Sequence, residues 1–287
     1  MFVVAGATGH VGSVVVSELL SHGEKVKVFL RDSAKRADWS KKGVDVAVAN
    51  LGDAASLAGV LEGSAGFFTL LPPSYEVREG FIAHQHKIAD AIATAVKQSK
   101  VPHVVILSSV GGDLPDGNGP IKALHYFENV LRETGVKLTV IRSSYFQENA
   151  GNSLALAKAQ GIFPNMTPSA DYPFPMIATH DIGVVAAHEL MFPPEKSEVV
   201  DLRGPAYSTK QVAEKLGTAL GKKLQVVDVP PAEQAKAYQQ GGMSAELAGL
   251  FAEMNAGFAT GKILPHGDRL IQARSPIDAV IKRLVSA

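Results

Sequence analysis

Through the first half of this chain, short runs of β-branched and aromatic residues alternate with longer stretches whose apolar residues recur every three or four positions. Residues 2–5, 25–30, 44–49, 66–70, 103–108 and 137–141 are nearly continuously apolar, as strands buried on both faces of a parallel sheet are. Ranges 11–21, 54–61, 77–97 and 123–134 carry the helical spacing and predict the crossover helices of βαβ units. Beyond residue 141 the texture shifts to aromatics and proline, including Phe163, Pro164, Pro168, Tyr172, Pro173, Phe174 and Pro175, which suits pocket walls and loops. Residues 198–202 predict a strand that rejoins the main sheet, and 224–229 a small accessory pairing. From Pro231 onward the chain reads as mostly helical. There Leu247, Leu250, Phe251, Met254 and Phe258 share one helical face, either as core between two lobes or as the underside of a substrate lid. The expected organisation is a sheet domain over 1–150, with its return strand near 198–202, and a smaller, partly helical lobe over 151–287.

At 287 residues the length fits about two domains of the usual ~150 residues. Lys plus Arg and Asp plus Glu both number 28, so the net charge is zero, and no global field favours nucleic acid or anionic lipid. With no cysteine, thiolate nucleophiles, disulfides and Cys-based metal sites are excluded. No apolar run approaches the ~18 residues of a membrane span, and no secretory leader is visible at the N-terminus. The expectation is a cytoplasmic enzyme or sensor with a small-molecule partner, away from nucleic acid and membranes, of open oligomeric state.

The strongest chemical signal is Gly6-Ala7-Thr8-Gly9-His10-Val11-Gly12, placed directly after the first predicted strand and before the first predicted helix. In such a loop the first glycine permits the tight turn, the second lets backbone approach a pyrophosphate, and the third lets helix and strand pack closely. The helix N-terminus then presents free N–H groups to the anion. The fold expected is α/β, a Rossmann-type doubly wound parallel sheet. Sites for NAD usually carry Asp or Glu at the end of the second strand. Here that strand ends in Arg31, followed by Asp32, Lys35 and Arg36, and the cationic cluster favours the 2′-phosphate of NADPH. Asp32, one residue on, leaves NADH possible.

The GATGHVG loop, the Phe29-Leu30-Arg31-Asp32 strand end, His125 with Glu128, and the segment 141–149 together resemble the NmrA-like branch of the atypical short-chain dehydrogenases/reductases. Within that branch they are most similar to bacterial NAD(P)H:quinone oxidoreductases that work without flavin. The resemblance implies that Gly6, Thr8, Gly9, His10, Val11 and Gly12 cradle the pyrophosphate, with Arg31 by the adenosine phosphate and Lys35 adding charge nearby. It implies that Leu71, Pro72, Pro73 and Ser108 line the cofactor cleft, and that Tyr145, Phe146 and Asn149 pack along the nicotinamide. It also implies substrate binding between the sheet domain and the C-terminal lobe.

Most reductases of the wider superfamily use Tyr-x-x-x-Lys to protonate a carbonyl. In register with Glu128 and Gly135 that motif falls near Pro120 and Leu124, neither of which does acid–base chemistry; Lys122 is out of phase. Quinones evade the difficulty, because hydride addition gives a stabilised phenolate that needs little general acid, and aromatic walls suit a flat acceptor. His125, one helical turn before Glu128, is the candidate for a proton relay. His84 and His86, two apart in a helical stretch, point to different sides and predict no metal site. His180 and Asp181 follow Thr179 at a helix start, where capping explains them. Residues 111–120, rich in glycine, form either a mobile flap or a plain surface loop. Two functions fit: an NADPH-dependent reductase of quinone-like acceptors, or a dinucleotide-binding redox sensor that does not turn over.

Overall fold

The computed structural model describes residues 1–31, 39 and 42–286; Asp32, Lys35 and Arg36 lie outside the described residues. Eight strands form one sheet in the order β13-β10-β6-β5-β4-β1-β2-β3. They are β1 (Phe2–Val4), β2 (Val26–Leu30), β3 (Asp45–Val48), β4 (Gly66–Leu70), β5 (His103–Ser109), β6 (Lys137–Ser143), β10 (Glu198–Arg203) and β13 (Arg269–Gln272). All of their pairings are parallel. The order reverses at β1, whose neighbours are β2 on one side and β4 on the other, and this switch point opens a crevice at the carboxyl edge.

The uninterrupted apolar runs have a simple cause. Successive residues of a strand face opposite sides, and both sides are covered. Val3, Phe67 and Val104 join one core with Leu57, Ile92, Phe127 and Leu131 of the helices Ala54–Leu61, Phe81–Ser99 and Lys122–Glu133. Val4, Phe68 and Val105 join the other with Val15, Leu19, Ile182 and Leu190 of the helices His10–Ser21 and Thr179–Met191.

The second half builds a third core from Ala157, Phe163, Met176, Val212, Leu216, Ile277 and Ile281. Around it lie β7 (Tyr145–Phe146), β9 (Phe174–Ile177) and β11 (Ala206–Tyr207) in one small sheet, and β8 (Ile162–Asn165) with β12 (Gln225–Asp228) in another. The expected return strand and accessory pairing are thus both present. The stretch beyond Pro231 is mostly helical, as expected, with one unforeseen strand, β13, which extends the main sheet beside β10. One expectation needs correction. The helix expected from residue 77 begins at Phe81, because its N-cap Gly80 is left-handed and only then does the chain turn into helix.

His103 opens β5 almost fully buried, with Nε2 3.0 Å from Thr139 Oγ1 and Nδ1 without a partner among the described residues. Burial, helped by Lys137 and opposed by Glu198, pushes its pKa down to about 4. An unfolded histidine titrates near 6.5, so the unfolded chain takes up the proton first. Stability is therefore full above about pH 6.5 and falls as the pH drops toward 4, by about 1–2 kcal/mol at pH 5. Denaturant titrations of wild type and His103→Gln should show this extra slope in the wild type only.

Candidate active site

The loop after β1 is shaped for close backbone approach. Gly6 is left-handed, with φ +63°, and its carbonyl accepts from the Gly9 N–H at 2.8 Å. A Cβ on Gly12 would stand 2.5 Å from the Gly6 carbonyl carbon and 2.8 Å from the Ala5 oxygen, so only glycine lets the helix sit this near the strand. The helix starts at His10 with extended Gly9 as N-cap and no side-chain capping bond. Its first N–H groups are left for an external acceptor. Gly6, Thr8, Gly9 and His10 are exposed, whereas Val11 and Gly12 are buried. A pyrophosphate fits this cradle: the first four would face it, and Val11 and Gly12 would fix the helix behind them.

Neighbouring strand ends bring the other predicted residues to the same edge. Arg31 follows β2 directly and is exposed. Leu71, Pro72 and Pro73 follow β4, and the Pro72 carbonyl accepts from Nε2 of buried Gln85 at 2.8 Å, which holds this segment against the Phe81–Ser99 helix. Ser108, near the end of β5, is buried and donates to Glu128 Oε1 at 2.7 Å.

Glu128 is the hub of a buried charge network. Its carboxylate accepts from Arg142 Nε at 3.0 Å and Nη2 at 2.7 Å, and from Arg132 at 2.8 Å. Asp113 adds a second carboxylate 3.5 Å from Arg142, and His266 Nδ1 stands 2.9 Å from Asp113. Burial works against the Arg142 charge, but Glu128 first, then Asp113 and Asp201, outweigh it and hold its pKa above the usual guanidinium value. The bidentate fork fixes Glu128, and with it Ser108, in one geometry.

This network lies under the 111–120 loop, which packs tightly. Asn118 Nδ2 donates to the Gly111 and Leu114 carbonyls. A Cβ on Gly257 of the helix Ala245–Ala259 would stand 2.5 Å from the Gly117 oxygen, and Lys262 and Lys122 pair with Asp116 and Glu253. His125 sits behind the loop with Nδ1 3.0 Å from the Gly112 carbonyl and Nε2 3.0 Å from Asn129 Nδ2. The carbonyl accepts at Nδ1 and the amide donates at Nε2, so both ring nitrogens are engaged within the protein. Pro120 lies in a short turn and Leu124 packs on Val110, Ile121 and Ile263; neither offers a proton.

Across the edge of β6, aromatic side chains from five segments gather. Tyr145 meets Phe174 edge-on at 5.5 Å between ring centres. Tyr75, from the loop after β4, meets Phe251 at 6.3 Å, and Tyr238 of the helix Pro231–Gln240 meets the same Phe251 at 5.5 Å. Tyr145 keeps 43% of its surface accessible, yet the surrounding protein pushes its phenol pKa up; nearby Tyr238 adds to this, the Asn149 amide opposes it, and Tyr75 adds a little more. A ring so flanked and still accessible lines a cleft. Phe146 is half-buried beside it. Leu247 is buried while Phe251 and Met254 are half-buried, so the apolar stripe of that helix is partly core and partly cleft wall.

Phe251 lies on the apolar stripe read from the sequence, but Tyr75 and Tyr238 were beyond the reach of sequence patterns, because loop and helix meet only in the fold. Glu246 was too: its carboxylate accepts from the Gly80 and Phe81 N–H groups at 2.7 and 3.0 Å and ties the helix Ala245–Ala259 to the sheet domain. Among the described residues no three His, Asp or Glu side chains gather to hold a metal ion, and no helix is long and apolar enough to cross a membrane.

A parallel sheet with a glycine loop at its switch point and an uncapped helix behind it defines a Rossmann-type fold with a dinucleotide cradle. The chain belongs to the NmrA-like family, whose profile matches residues 1–280. It is 28% identical over 259 residues to an NAD(P)H azoreductase of Xenophilus azovorans, covering 89% of this chain and 86% of the relative. It is 25% identical over 264 residues to quinone oxidoreductase 2 of Escherichia coli strain K12, covering 91% and 89%. The fold matches the crystal structure of an NADPH-dependent quinone oxidoreductase of Escherichia coli complexed with NADPH, with a TM-score of 0.79 at 21% identity over 100% of this chain and 95% of that one.

Proposed function

We propose that this protein passes a hydride from NADPH directly to a planar, quinone-like acceptor, without flavin. One relative is named an NAD(P)H azoreductase and the other a quinone oxidoreductase, and this chain is an NAD(P)H-dependent oxidoreductase. The observation that carries the finer reading is the aromatic cleft around Tyr145, on the same sheet edge as the glycine loop and with no acid at positions 120 or 124. When bound, the reduced nicotinamide supplies the hydride. The chain's own residues do the rest: the Gly6–Gly12 segment and Arg31 hold the phosphates, and Tyr145, Phe146 and Asn149 border the ring.

The acceptor stacks against the aromatic walls. Quinone, NADPH and one proton from solvent balance to hydroquinone and NADP⁺. Protein freed of flavin should consume NADPH when a benzoquinone or naphthoquinone is added, followed by the loss of NADPH absorbance. A strict need for added FAD or FMN would overturn the direct transfer, and tight NADPH binding without turnover would instead favour a redox sensor.

A further inference from the structure

The cleft holds one polar arrangement that this reaction has not used. Gln234 is buried at 5% exposure, and its Nε2 donates to the carbonyls of Met166 at 3.0 Å and Val229 at 3.3 Å. Carbonyls only accept, so the amide nitrogen of Gln234 must face them and its oxygen must face the other way. That oxygen meets Asn255 Nδ2 at 2.9 Å, and the same Nδ2 donates to Tyr238 Oη at 2.9 Å. Each link fixes the next. Two backbone carbonyls orient Gln234, Gln234 orients Asn255, and Asn255 fills the acceptor side of the Tyr238 hydroxyl. The hydroxyl proton is left to be given away.

Its surroundings say where. Tyr238 shares Phe251 with Tyr75, at 5.5 and 6.3 Å between ring centres, and so stands among the aromatic side chains that would border a flat acceptor. Resting on the reductase reading above, we propose that Tyr238 is the hydrogen-bond donor to the carbonyl oxygen of the acceptor, with Asn255 and Gln234 as positioning residues. The site thereby selects planar acceptors that carry such an oxygen. As the hydride bonds to the far oxygen of the quinone, the ring aromatises and the displaced π pair settles on this near oxygen, which becomes a phenolate; the Tyr238 hydrogen bond stabilises that charge, and solvent delivers the final proton. Burial pushes the Tyr238 pKa up, against the Asn255 bond, so the phenol keeps its proton and acts as donor throughout. A phenol on the C-terminal lobe thus serves the oxygen that a tyrosine at position 120 would otherwise have served.

Tyr238→Phe removes only the hydroxyl. It should lower kcat/KM for a benzoquinone about tenfold, mostly through kcat, with the NADPH dissociation constant and thermal midpoint unchanged. Asn255→Asp replaces the donor beside Tyr238 by an acceptor, which turns the hydroxyl proton away from the cleft. It should reproduce the loss although the tyrosine is intact, an effect that a packing role for Tyr238 does not predict. Wild-type kcat/KM in Tyr238→Phe overturns this proposal alone, as does a loss of NADPH affinity in step with activity. Absence of quinone turnover in the wild-type protein overturns the reductase reading and this proposal with it.

Discussion

Replacing Arg31 by Asp should reverse the dinucleotide preference of the protein. Arg31 directly follows β2, the strand beside β1, at the edge where the adenosine ribose of a dinucleotide lies when its pyrophosphate sits on the first helix. A guanidinium there meets a 2′-phosphate through paired, charge-assisted hydrogen bonds. Hydrogen bonds to charged groups contribute about 1.5–3 kcal/mol, which at about 1.4 kcal/mol per decade gives the wild type on the order of 10- to 150-fold preference for NADPH. A carboxylate at position 31 repels the phosphate and offers an acceptor to the 2′-hydroxyl of NADH. The ratio of kcat/KM for NADPH over NADH, measured in both proteins, should fall through unity in Arg31→Asp. A wild-type preference for NADH, or a ratio that does not move, would make Asp32 the ribose ligand instead.

The second large effect separates two glycines of one loop. In Gly12→Ala the new Cβ meets only backbone, 2.5 Å from the Gly6 carbonyl carbon and 2.8 Å from the Ala5 oxygen. No side chain can yield, so the first helix must move off the strand, at a cost of about 3 kcal/mol or more. For a chain of this size that corresponds to a Tm lower by roughly 6–12 °C. Gly9 is exposed, and a Cβ there would lie 3.3 Å from the Gly6 oxygen, a contact that small shifts relieve. The new methyl instead stands where a pyrophosphate would approach the backbone. Gly9→Ala should therefore keep nearly the wild-type Tm while losing most of the rise in Tm that NADPH gives the wild type. Equal behaviour of the two variants in melting curves with and without NADPH would contradict this division of labour.

The strands of the sheet domain were legible because both faces of the sheet are covered, which forces the unbroken runs at Val3-Val4, Phe67-Phe68 and Val104-Val105. The cradle was legible because its chemistry is local: strand, glycines and helix follow one another. β13 was not, since Arg269–Gln272 is a short edge strand with Leu270 more than half exposed, and only its pairing to β10 makes it one. The aromatic cleft and the Gln234–Asn255–Tyr238 chain were illegible for the same reason, being assembled from segments that only tertiary packing brings together. His125 shows the opposite case. Its place in the helix suggested a proton relay, but the sequence could not reveal that Gly112 and Asn129 occupy its two nitrogens.

The most direct test of the account is a single-turnover experiment on flavin-free protein carrying one equivalent of NADPH and mixed rapidly with a quinone. Direct transfer predicts that hydroquinone appears in step with NADPH loss, one for one, and that deuterium on one face of the nicotinamide C4, and not on the other, slows both. NADPH that stays bound and unoxidised, or that is consumed only after flavin is added, would contradict it.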